Sequence, residues 1–170
     1  MVKKIFLAAA LSGVFSFYSN AQAKVCVVDI TQVLQSVPDY KKAQDELDRI
    51  STQWRQEIAQ QQDAIKGMYN KYQAEQVLLS DEQKKQREDE IVNKEKQVRD
   101  MQRDKFGPEG ALFKKRQELV KPLQDKIYGI VERYAQEKGY DIILDKATSG
   151  VLFANSSYDR TLAIMDLVKK

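Results

Sequence analysis

Between Asp39 and Leu79 the chain contains no proline and only one glycine, Gly67. So long a run without a breaker, dense in Gln, Glu, Lys and Arg, predicts one continuous helix. Its apolar residues Leu47, Ile50, Trp54, Ile58, Ile65, Met68, Tyr72 and Leu79 recur at helical spacing and share one side. Leu47 and Ile65, Ile50 and Met68, and Trp54 and Tyr72 each return to the same face after about five turns of a straight helix. Strict heptad positions instead fall on Glu57, Gln61, Lys71 and Glu75, so little left-handed supercoil is expected. The helix would extend on the order of 60 Å, far beyond a compact domain of this length. A partner helix must cover its apolar side.

That partner follows directly. Leu78-Leu79-Ser80-Asp81-Glu82-Gln83 reads as a turn and a new helix start, with Ser80 as N-cap, Gln83 completing a capping box and two acids in the first turn. From Ser80 to Lys105 the apolar content thins to Ile91, Val92, Val98 and Met101. Acid–base pairs four apart, such as Glu90 with Lys94 and Glu95 with Arg99, lend local support. Phe106-Gly107-Pro108-Glu109-Gly110 breaks the returning helix. Helical periodicity resumes with Leu112, Leu119, Leu123, Ile127, Ile130 and Tyr134, and Gly139 ends it.

Short β-rich segments flank this hairpin. Val25-Cys26-Val27-Val28-Asp29-Ile30 reads as a strand, followed by a helical turn over Thr31 to Val37. Two further strands are expected at Tyr140 to Asp145 and Val151 to Asn155, then a last helix capped by Asp159 or Ser157, with Leu162, Ile164, Met165, Leu167 and Val168 on its apolar face. The fold class is therefore α+β, mostly α: a long antiparallel helical hairpin, or tentacle, attached to a small β-sheet body that oligomerises. Its expected parts are a leader at 1–23, the first strand and turn at 24–38, the hairpin at 39–139 with its tip near 78–83 and break near 106–110, and the rest of the body at 140–170. So small a body buries little surface, which is why assembly through the sheet is expected. The residues expected to form that interface are Val25, Val27, Ile30, Ile142, Leu144, Val151 and Phe153.

The leader reads as a secretory signal. Lys3 and Lys4 precede an apolar and small-residue run from Ile5 to Tyr18, too short to span a bilayer, and Ala21-Gln22-Ala23 matches a signal-peptidase site. Cleavage after Ala23 would start the mature chain at Lys24, and removal of Lys3 and Lys4 brings the net charge of +3 close to zero. Near neutrality gives no ground for nucleic-acid binding, and no later segment is apolar enough to span a membrane. The lone Cys26 cannot form an internal disulfide and reads as a small buried residue.

Chemistry is sparse. With no histidine, one cysteine and no phosphate-binding glycine loop, neither an enzyme, a metal centre nor a cofactor is expected. Binding residues are sought instead among the aromatic, Met and basic side chains of the hairpin, several of which also fit its seam: Met68, Tyr69, Tyr72, Met101, Phe106 and Phe113, with Arg99, Arg103, Lys105, Lys114, Lys115 and Arg116. Tyr69 and Phe106 lie off the seam or at the break and are expected to be exposed.

The order of elements, with Val27-Val28-Asp29-Ile30, Tyr140-Asp141-Ile142-Ile143-Leu144-Asp145 and the run from Phe106-Gly107-Pro108-Glu109-Gly110 to Leu119-Val120-Lys121-Pro122, resembles the Skp/OmpH family of periplasmic chaperones, in particular its Bacteroidetes branch. The resemblance spans essentially the whole chain. It implies a homotrimer whose strands form a small β-body, with three tentacles around a cavity that holds unfolded outer-membrane β-barrel proteins without ATP until they reach the membrane assembly machinery. Members of that family are strongly basic, whereas this chain is nearly neutral once its leader is removed. An envelope adaptor, whose hairpin docks one fixed partner, is the alternative.

Overall fold

The computed structural model describes residues 22–169. Apart from Gln22 and Ala23, the expected signal peptide lies outside the described residues. The elements are β1 (Val25–Val28), α1 (Ile30–Gln35), α2 (Pro38–Glu75), α3 (Asp81–Phe106), α4 (Ala111–Lys138), β2 (Ile142–Asp145), a 3-10 turn (Ser156–Tyr158) and α5 (Thr161–Val168). Strands β1 and β2 are parallel, with Val25 opposite Ile142 and Val28 opposite Asp145. Parallel neighbours need a long crossover. Here the crossover contains the entire helical hairpin.

Pro38 opens α2 at a position where its missing N–H costs nothing. The helix ends at Glu75, short of the expected Leu79, because the reversal consumes the intervening residues: Leu78 N–H already bonds back to Glu75 O at 2.8 Å. The capping box at the start of α3 is present in both directions, Gln83 N–H to Ser80 Oγ and Ser80 N–H to Gln83 Oε1. Between α3 and α4 the chain turns through Gly107 and Gly110. A Cβ on Gly107 would lie 2.5 Å from Arg103 O, and one on Gly110 would lie 2.9 Å from Lys105 O, so this tight break excludes side chains at both positions. Helix α4 then runs on through Pro122 to Gly139, whose φ of 66° closes it in the left-handed conformation.

The body core gathers Val28, Ile30, Val33, Leu34, Ile127, Ile130, Tyr134 and Ile164. It therefore draws on β1, α1, α4 and α5. A smaller group, Ala43, Leu47 and Val120, joins the base of the hairpin to α4. Farther out, Ile58 and Ile65 of α2 meet Ile91 and Val98 of α3. Ser51 is also buried, in step with Ile58 and Ile65 at heptad spacing. An apolar seam read by residue type alone passes over it. Cys26 is fully buried, and burial pushes its thiol up from the ordinary range.

Several expectations for the body are corrected. Val151 to Asn155 forms no strand. Both edges of β1 are occupied, one by β2 and the other by a single bridge at Asp159, with Arg160 N–H donating to Val27 O at 2.9 Å. Asn155 instead caps the 3-10 turn, its Oδ1 accepting from Ser157 N–H. Ile30 is the first residue of α1, not a strand residue, and is buried in the body core together with Val33 and Leu34. Val27 is only 4% exposed. Neither side chain is therefore free to contact a second chain as expected. On α5 only Thr161 and Ile164 are buried, while Leu162 turns outward.

Candidate functional site

Large apolar side chains remain uncovered at two ends of the molecule. At the hairpin tip Val77 and Leu78 are each 85% exposed. On the body, Leu152 is 101% and Phe153 85% exposed, and Ile142, Leu144, Tyr158 and Leu162 are exposed as well. A groove of about 380 Å³ runs between Leu144 and Val27 on one side and Val151, Phe153, Ala154 and Tyr158 on the other. Sequence reading missed Val77, Leu78, Leu152, Tyr158 and the exposure of Leu162. A consecutive apolar pair in a reversal with acids after it was the available signal at the tip.

The hairpin residues singled out from sequence fall into three groups. Met68, Tyr72, Met101 and Phe106 pack against the Ile58–Ile65–Ile91–Val98 cluster and are partly buried. The two tyrosines tie the arms together, Tyr69 Oη donating to Glu95 at 2.9 Å and Tyr72 Oη to Glu88. Each of those carboxylates, by accepting the bond, pushes the phenol up from its usual range. Tyr69 is 40% exposed and Phe113 47%. Phe106 is not the free contact expected: it meets Trp54 edge to face at 6.1 Å, with the Arg55 guanidinium 5.9 Å from its ring.

Most of the basic stretch is neutralised along its own helices. Arg99 pairs with Glu95, Arg103 with Asp100 and Asp104, Lys115 with Glu118 and Lys121 with Asp125. Lys105 Nζ sits 4.3 Å from the centre of the Trp54 ring. Lys114 and Arg116 make no ion pair among the described residues, and Lys114 lines an open depression of about 550 Å³ with Arg103, Gly107, Pro108 and Glu109. The crevice between Met68, Tyr72 and Ile91 measures only about 40 Å³, far below the size of a small-molecule site. Among the described residues no carboxylate or thiol cluster could hold a metal ion, and no helix is long and apolar enough to cross a membrane.

A minimal parallel sheet whose crossover is a long, charged helical hairpin defines a tentacle-bearing α+β protein. Residues 24–168 match the profile of the OmpH-like outer membrane proteins. The chain belongs to that family. Its fold is shared with a crystal structure of a proposed outer membrane chaperone (OmpH-like) from Caulobacter crescentus CB15, at a TM-score of 0.68 and 15% identity over 90% of this chain and 88% of that one. No curated protein matches by sequence.

Proposed function

We propose that this protein is an ATP-independent periplasmic holdase that keeps unfolded outer-membrane β-barrel proteins from aggregating, working as a homotrimer assembled through its body. The observation that carries this reading is the separation of two uncovered apolar regions, the Leu152–Phe153 rim of the body and the Val77–Leu78 tip, by a long charged hairpin. Copies joined at the rim would hold their hairpins side by side. Clients of alternating hydrophobicity would then meet many small apolar contacts, Tyr69, Phe113 and the tip among them, with Lys114 and Arg116 adding local attraction. Among the described residues the hairpin offers a small crevice and an open depression, which suits a client with no fixed shape. Apart from the Val77–Leu78 pair at the tip, the large exposed apolar side chains of the hairpin, Tyr69, Val92, Phe113 and Tyr128, are scattered over three helices. Such scatter supports the holdase over an adaptor that docks one fixed partner.

The test is to sediment the chain beginning at Lys24, then dilute a urea-unfolded outer-membrane barrel into buffer with and without it. A trimer that suppresses barrel aggregation is expected, with Leu152→Asp/Phe153→Asp shifting it toward monomer. A trimer that leaves aggregation unchanged would overturn the holdase reading but not the fold. Suppression that weakens at high salt would assign part of the attraction to Lys114 and Arg116.

A further inference from the structure

Lys24, the residue that follows the expected cleavage site, is the most heavily anchored residue at the open end of the sheet. Its backbone N–H donates to Asp141 Oδ2 at 2.6 Å. Its carbonyl accepts from Asp141 N–H at 2.9 Å and Ile142 N–H at 3.3 Å. Its Nζ donates to Lys138 O at 2.6 Å, at the end of α4, and lies 4.6 Å from the centre of the Tyr140 ring. Asp141 thus binds Lys24 at both its backbone N–H and its C=O, immediately before the first pair of the sheet, Val25 with Ile142. Gln22 and Ala23 are exposed and have no regular secondary structure. Sheet contacts begin at Lys24.

We infer that the Lys24 nitrogen is a maturation site: removal of the leader after Ala23 converts it from a neutral amide to an ammonium, which Asp141 captures as an ion pair that closes the end of the sheet. The bond already has the short distance of a charge-assisted one. An α-ammonium keeps a proton directed at Oδ2 and adds a full charge facing the carboxylate. The ε-ammonium of the same residue is held elsewhere, on the α4 terminus and the Tyr140 ring, so it does not compete for Asp141. Processing therefore makes the mature body more stable than that of the unprocessed chain, and the site takes one ligand, the protein's own new N-terminus. This step depends on cleavage after Ala23 and is independent of the holdase reading.

Two chains test it at one protomer concentration and neutral pH: one starting at Lys24, the other retaining Ala21-Gln22-Ala23 in front of it. The extension is expected to raise the unfolding equilibrium constant about threefold. In an Asp141→Asn background the same extension should make no difference, because the carboxylate that senses the charge is gone. An equal effect of the extension in both backgrounds, or none in either, would overturn the ion pair. Intact mass of the protein recovered from a periplasm tests the cleavage separately. A start at any residue other than Lys24 would overturn the maturation site even where the designed chains behave as expected.

Discussion

The body and the outer hairpin bury apolar side chains in opposite ways. In the body, four elements converge so that Val28, Val33, Ile127 and Ile164 are at most 1% exposed. In the outer hairpin, two helices share one file of side chains, Ile58 and Ile65 against Ile91 and Val98, and each remains 3 to 8% exposed. Much else along the hairpin is local: the Ser80 capping box and ion pairs three or four residues apart, most of them largely exposed. Such pairs contribute a few tenths of a kcal/mol each. Stability in the body rests on convergence, and in the hairpin on repetition. A region built by repetition can yield locally without unfolding the rest.

The sharpest challenge to this contrast is to make the same change in both regions. Ile127→Ala should cost about 2–5 kcal/mol and lower the cooperative unfolding transition, since a site enclosed on all sides cannot collapse around the cavity. Ile91→Ala should cost less, because two helices can close on a one-file gap. Urea unfolding should show the larger loss for Ile127→Ala, and a reversed order would break the comparison.

A smaller effect is expected at Asp159, which belongs to the body alone. Burial pushes its carboxyl up, but bonds from Lys146 Nζ at 2.8 Å and Thr161 N–H at 2.8 Å outweigh burial and bring it down from 3.8 to about 2. The folded state thus favours the ionised form. Its contribution is complete above about pH 4 and is lost as pH falls through about 2. Asp159→Asn should cost about 1–2 kcal/mol at pH 6, with most of the gap to the parent protein gone by pH 2. Thermal melts across that range check the sign; a gap that does not narrow as pH falls to 2 would assign the loss to packing.

The smallest effect sharpens the hairpin side. Ser80→Ala removes one half of the capping box and should cost about 1 kcal/mol at the tip. Amide exchange should quicken at Asp81 to Lys84 and stay unchanged in β1 and α5. Slower folding of the whole chain would show the tip to be coupled to the body.

What could be read from residues follows the same division. The hairpin was legible because its determinants are close in sequence: the breaker-free run, the Ser80–Gln83 box, and Gly107 and Gly110 at the break. Most of the seam was legible too, but Ala43 and Val120 at the hairpin base were passed over, as was Ser51, where size matters and polarity misleads. Among the binding residues, Phe106 is not freely exposed as expected, because Trp54, distant in sequence, packs against it. The basic stretch carries only a small local excess of charge, and acids of the same helices pair with Arg99, Arg103, Lys115 and Lys121.

By itself the sequence determined a mostly helical chain that reverses once, returns through a break and ends in short β-rich segments, because a helix satisfies its own hydrogen bonds within a turn. Only the tertiary structure decided that β1 and β2 run parallel, that Val151 to Asn155 stays out of the sheet, and that Lys24 is clasped by Asp141. Strand pairing joins residues from opposite ends of the chain, and no local spacing records which edge each will find.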